Sequence, residues 1–131
     1  MLVTGRVESI QIGRIQTFER QGKKAYTSAI IKTPVSSGVT VESEGIVGDQ
    51  QADRKHHGGR DKAILSYTTE SLAFWQSEFP ELIWTSGAFG ENLTLSGLSE
   101  TDVCIGDIFE VGEVTLQITQ PREPCWKLSE R

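Results

Sequence analysis

The stretch IFEVGEVTLQIT, residues 108–119, holds two β-rich runs joined around Gly112–Glu113. In the second run Val114, Leu116 and Ile118 alternate with Thr115, Gln117 and Thr119. Strict alternation places one set on each side of an extended chain, so the stretch reads as a hairpin with one apolar face. Similar runs lie upstream. A Thr-, Val- and Ile-rich opening predicts a strand through residues 2–12, YTSAIIK (26–32) and VTVE (39–42) two more, AILSY (63–67) a fourth and residues 92–95 a fifth. Roughly seven strands at short spacing predict a mostly β chain, a barrel or a sandwich. One helix interrupts them. Thr68 or Thr69 can cap it, Glu70 suits the positive end of its dipole, and Leu72, Trp75 and Phe79 share one face before Pro80 stops it.

The chain has 131 residues and a net charge of −5. That length is one domain, residues 1–131, and is too short for two independent cores. With 37% hydrophobic and 24% charged residues the composition is that of a globular protein. An acidic chain is repelled by phosphate backbones, so neither a nucleic acid polymer nor an anionic membrane is an expected partner. No apolar run is long enough to span a bilayer, and Arg6 and Glu8 interrupt the stretch where an export signal would be apolar. The expected compartment is therefore the cytoplasm. Two cysteines, Cys104 and Cys125, make no disulfide framework and are expected as thiols. Cys104, between Val103 and Ile105, reads as a core residue of a short strand.

Three clusters could carry chemistry. Residues 44–63, EGIVGDQQADRKHHGGRDKA, begin acidic and end with Arg54, Lys55, Arg60 and Lys62. Gly58–Gly59 permits left-handed backbone and close approach of a ligand, and with Arg60 and Lys62 beside it could bind an anion. A solvated charged loop explains the same residues. His56 and His57 do not have the spacing of a metal pair. The connection from 42 to 61 reads as a long loop, and structureless loops of that length tend to be functional. In TQPREPCWKL (119–128), Pro121 and Pro124 stiffen the chain around Arg122, and Cys125 stands beside cations that would lower its pKa. A thiolate there is a soft metal ligand, although a small buried hydrophobe is the commoner fate of a free cysteine. In GAFGENLTLSGL (87–98), Asn92 can bond backbone or ligand at a turn. From the residues alone this is an anion- or metal-binding β domain with a thiol that could be activated.

The segments GDQQADRKHHGGRDKAI (48–64), GENLTLSGLSETDVCIGDIFEVG (90–112) and LQITQPREPCWKL (116–128), in this order, resemble the MOSC domain. That domain stands at the C-terminus of molybdenum-cofactor sulfurases and in stand-alone bacterial proteins of the YiiM type. The resemblance implies a barrel-like, mostly β fold with one or two short helices. It implies molybdenum cofactor (molybdopterin) rather than pyridoxal phosphate, with Cys125 bonded to molybdenum and catalytic. His57, Gly58, Gly59, Arg60, Lys62 and Arg122 would serve the cofactor or its phosphate, and Asp49 and Asn92 the cofactor or substrate pocket. The implied activity is a molybdenum-dependent oxidoreductase that reduces N-hydroxylated compounds, such as hydroxylamino-purines or amidoximes. Its electrons would come from a flavin- or iron–sulfur-containing partner. A cofactor carrier and a sulfur carrier with a persulfide on Cys125 are the competing implications.

Members of this family usually continue for several tens of residues past the Pro-Cys motif, whereas here the sequence ends at Arg131. The resulting expectation is a truncated or unusually short domain with its barrel open at one edge, that edge either covered by a second copy in a homodimer or left exposed as a liability.

Overall fold

In the computed structural model, which describes residues 3–122, β1 (Arg6–Ile12) organises the architecture. After it come β2 (Gln16–Arg20), β3 (Lys23–Ser28), β4 (Thr33–Pro34), β5 (Val41–Glu42) and β6 (Gly45–Ile46). A helical turn α1 (Arg54–His57), β7 (Ser66–Thr68) and helix α2 (Thr69–Glu78) follow, then β8 (Leu93–Ser96), β9 (Ile108–Val111) and β10 (Val114–Gln117). The central sheet has the order β4-β1-β8-β7. β1 runs antiparallel to β4 and β8, while β7 and β8 are parallel. Parallel neighbours require a crossover, and α2 with the loop behind it supplies this one.

The expected hairpin forms, although its second strand ends at Gln117 rather than Thr119. Val114 faces Val111 and Gln117 faces Ile108, and the valine and leucine of β10 are half-buried while Thr115 and Gln117 are exposed. Gly112 takes φ +58°, the left-handed backbone that a two-residue hairpin loop asks of its first residue. Helix α2 also starts where its cap allows. The Thr68 hydroxyl accepts the Ser71 N–H at 3.1 Å, Leu72 is buried, and the Phe79 N–H closes on the Trp75 carbonyl at 2.8 Å.

Several expectations shift. The strand read at 26–32 is β3, ending at Ser28, and its partner β2 was not anticipated. QTFER hides its strand character because only Phe18 is large and apolar; it stacks on Tyr26 at 5.3 Å. AILSY begins too early, since Ala63 ends a 3-10 turn over Arg60–Lys62 and the strand starts at Ser66. The connection from 42 to 61 is not structureless, for it holds the β5–β6 hairpin end and α1. Cys104 is exposed in a turn, its N–H bonded to the Asp107 carboxylate at 2.8 Å, so the core position predicted for it is wrong. Flanking valine and isoleucine misled, because Ile105 is itself 68% exposed. Among the described residues the strands form one four-stranded sheet and three hairpins and do not close into a ring. None of the described helices is long and apolar enough to cross a membrane.

The centre of the sheet is polar. Gln11, Glu91 and Thr94 are the largest fully buried side chains, beside Leu93, Ala29, Ile46 and Leu72. Burying polar groups costs little only when they are paired. Here Gln11 Nε2 donates to the Glu91 carbonyl and to Thr94 Oγ1, both at 3.1 Å, Ser9 Oγ donates to Gln11 Oε1, and Thr94 donates to the Glu91 carboxylate. No buried side-chain nitrogen or oxygen among the described residues lacks a partner.

Candidate functional site

A cavity of about 460 Å³ opens between the sheet and the segments that follow β3 and β6. Its wall has three parts, each set by local sequence. The first is a polar knot. A turn closed by the Asp49 N–H on the Ile46 carbonyl, with Gly48 at φ +96°, brings Asp49 back towards β1. Asp49 Oδ1 accepts the Gly13 N–H at 2.8 Å and Lys32 Nζ at 2.7 Å, and its Oδ2 accepts Asn92 Nδ2 at 3.0 Å. The side chains of Lys32 and Asp49 are only 7% and 1% exposed. Asn92 gives its other amide hydrogen to the Gln11 carbonyl and accepts the Leu65 N–H, both at 3.1 Å.

Asp49 and Asn92 therefore line the cavity, as the sequence suggested, but their polar atoms are committed to the protein. They tie β1, the β6 turn, the approach to β7 and the start of β8 together. Lys32 escaped the sequence reading. It sits at the end of YTSAIIK, where a strand-minded reading sees a terminal surface lysine, yet its ammonium is buried on Asp49 and the Gln50 carbonyl. The signal available was an acidic residue without an obvious local partner in Gly48–Asp49.

The second part is cationic. Gly58 packs against α1 so closely that a Cβ would lie 2.9 Å from Arg54 Cα, and Gly59 takes φ +90°. Together they turn the chain from α1 into the 3-10 turn that delivers Lys62 to the cavity. Arg122 reaches it from the other end of the sequence, donating to the Lys62 carbonyl at 2.6 Å, while Thr119 bonds the Asp61 carbonyl at 2.6 Å. Partial burial pulls the Arg122 guanidinium below its ordinary value, but a guanidinium stays charged in a protein. Arg60 is exposed, and neither it nor Gly58 or Gly59 lines the cavity. All three lie in the segment that leads to Lys62. The side chain of His57 and all of Cys125 lie outside the described residues.

The third part is aromatic. Tyr67 from β7, Trp75 from α2 and Phe89 from the loop before β8 line the cavity, each half-buried. Trp75 Nε1 donates to the Tyr67 hydroxyl at 2.9 Å, and the Tyr67 and Phe89 rings lie 4.5 Å apart. Phe89 is aimed by Glu91. That carboxylate, fully buried, accepts the N–H groups of Gly87 and Phe89 at 2.9 and 3.0 Å. Gly90 takes φ +74° and leaves no room for a side chain, since a Cβ would meet Ile30 at 2.8 Å.

A mostly β domain with a cation-edged, aromatic-walled cavity of this size has the form of small-molecule sites. The chain belongs to the MOSC domain family, whose model matches residues 53–131. It is 46% identical over 125 residues to the uncharacterized protein YflK of Bacillus subtilis, covering 95% of this chain and 56% of that one. It is 35% identical over 130 residues to a protein of Gibberella moniliformis named Reductase, covering 97% of this chain but 23% of the fungal one. Among solved structures, YiiM from Geobacillus stearothermophilus superposes with a TM-score of 0.73 at 38% identity, over 97% of this chain and 56% of that one. The chain thus spans about half the length of YflK and of the solved YiiM.

Proposed function

We propose that this domain binds molybdenum cofactor in the cavity and serves in the two-electron reduction of N-hydroxylated compounds to amines. The observation that carries the reading is the conjunction, in one cavity, of Lys32, Lys62 and Arg122 with a wall of three aromatic side chains. That donor set suits a ligand with a phosphate and a planar ring system, and the cavity volume falls within the roughly 300–1,000 Å³ of small-molecule sites. When bound, the cofactor supplies the redox chemistry, and the protein supplies binding and orientation.

Each residue has a part in this. Arg122 and Lys62 hold the anionic end by charge-assisted hydrogen bonds. Lys32, fixed by Asp49, adds a cation whose position the polar knot sets. The aromatic wall excludes water. Cys125 would be the protein's own thiolate ligand to the metal. The electrons come from a flavin- or iron–sulfur-containing partner protein. The fungal relative's name, Reductase, supports redox work for the family and goes no further.

Co-expression of the full chain with the cofactor pathway, followed by metal and pterin analysis, tests the reading. The expected result is stoichiometric molybdenum and pterin, loss of metal in Cys125→Ala, and turnover of an N-hydroxylated base with a competent donor. Cofactor without turnover would replace the reductase by a carrier. Absence of both metal and pterin would overturn the reading.

A further inference from the structure

We infer that the exposed apolar end of α2 and the turn after it, residues 74–83, is the docking face for the electron-donor protein, and that this donor presents an apolar patch edged with lysine or arginine. The inference rests on the reduction proposed above and says where its donor lands.

Phe74, Phe79 and Leu82 are about half exposed, and Ile83 is 82% exposed. Four large apolar side chains open to solvent within ten residues do little for the fold itself. Clustered apolar surface of this kind marks a protein–protein contact. The segment is also held in shape. Phe74 meets Trp75 edge-on at 5.2 Å, and Phe79 stacks on it at 5.9 Å. Gln76 Nε2 donates to the Pro80 and Leu82 carbonyls at 3.3 Å, and Trp84 Nε1 to the Phe79 carbonyl at 3.0 Å. A partner therefore meets a preformed surface and spends little on ordering it.

Charge defines the kind of partner. From Ala63 to Pro121 the sequence has nine Asp and Glu and no Lys, Arg or His. Glu78 and Glu81 border the apolar group and are exposed, and among the described residues neither carboxylate has a hydrogen bond or an ion pair. Glu78 stands in the last turn of α2, where the negative end of the dipole disfavours an anion and no basic residue offsets it. That placement serves a contact better than it serves the helix. A basic rim is steered to these carboxylates, and an acidic one is turned away. A second copy set face to face on the same patch would bring carboxylates against carboxylates.

Location joins the face to the chemistry. Trp75 lines the cavity and also touches Phe74 and Phe79, so a donor seated here lies one side chain away from the cavity. The donor's reduced flavin or iron–sulfur group gives up two electrons. With two protons from solvent they break the substrate's N–O bond, leaving the amine and water.

Two double variants test the face in cofactor-loaded protein, Glu78→Lys with Glu81→Lys and Phe74→Ser with Ile83→Ser. Turnover of an N-hydroxylated base is driven by a flavin- or iron–sulfur-containing donor protein or by reduced methyl viologen, a small donor that needs no docking face. KM for the protein donor should rise roughly tenfold in each variant, and in wild type it should rise with added salt. With methyl viologen both variants should match wild type. A wild-type KM for the protein donor in both variants, or a lower one in the lysine variant, would overturn the inference and leave the reductase standing.

A binding readout needs no turnover. At low ionic strength the cofactor-free chain should bind cytochrome c, a redox protein whose haem edge is ringed by lysines, in a calorimetric titration. The lysine variant should bind it roughly tenfold more weakly. Binding that depends on Glu78 and Glu81 in a protein that never turns over would keep the face for a basic protein and remove the reductase. No binding by wild type, or equal binding by the lysine variant, would overturn the inference. So would a large drop in the urea midpoint of Phe74→Ser with Ile83→Ser, or loss of a wild-type dimer in it, because the chain itself or a second copy would then cover the face.

Discussion

Asp49 and Asn92 share a cavity wall with Arg122, yet they are built in differently. Each of the first two joins separate segments through several hydrogen bonds, and Asp49 is 1% exposed on an ion pair with Lys32. Arg122 makes one side-chain hydrogen bond among the described residues, to the Lys62 carbonyl, and the rest of its fork remains for other partners. Lining a cavity therefore does not by itself make a residue a ligand contact. The bonds already spent inside the protein decide whether a substitution is felt first in folding or in binding.

The largest effect should come from Asp49→Ala. It strands the buried Lys32 ammonium and the Gly13 N–H, and removal of one partner of a buried pair costs about 3–5 kcal/mol, read from a urea titration. Asn92→Ala should follow at about 2 kcal/mol, since the Leu65 N–H and Gln11 carbonyl lose their side-chain partner. If Asn92→Ala instead melts like wild type and loses only cofactor, Asn92 belongs with Arg122 and not with the knot. Thr68→Ala removes the α2 cap and should cost about 1 kcal/mol, and by loosening the helix that carries Trp75 it should disturb the aromatic wall mildly. Arg122→Ala should change stability by less than about 0.5 kcal/mol while sharply reducing cofactor retention in the loaded chain. A large loss of stability there would place Arg122 with the knot.

Much of this arrangement could be read from sequence, for physical reasons that also mark the boundary. The β9–β10 hairpin is legible because its alternation and its Gly112 are local facts. So is the start of α2, where Thr68 lies beside the N–H it caps. The strand order is not legible, because β8 lies between β1 and β7 and nothing local states that pairing. The same holds at the site. Lys62, Arg122, Asp49 and Asn92 were identifiable by type and neighbourhood, and all four meet at the cavity. Lys32 was not, since its partner lies 17 positions away. Nor could the sequence separate the knot from the cationic edge, because an amide that clamps a backbone and one that contacts a ligand look alike in a string of letters. Gly58 and Gly59 were read as a ligand turn. In the structure Gly58 packs on Arg54, while Gly59 takes φ +90° with open space where a side chain would stand.

The pairing of β1 with β8 also sets a timetable. Gln11 bonds Thr94, 83 positions further on, and both are fully buried. Ribosomes add about 5–20 residues per second, so the first strand waits on the order of 10 s for the strand that covers it. During synthesis the first half of the chain can hold its hairpins and the short β1–β4 pairing, and the centre of the sheet assembles late. Closing so long a loop before any central contact is rewarded makes this a slow-folding topology. A nascent chain stalled before Leu93 would expose Val7 and Ile10 without their partners on β8, and that is the point in its life when this domain most needs a chaperone.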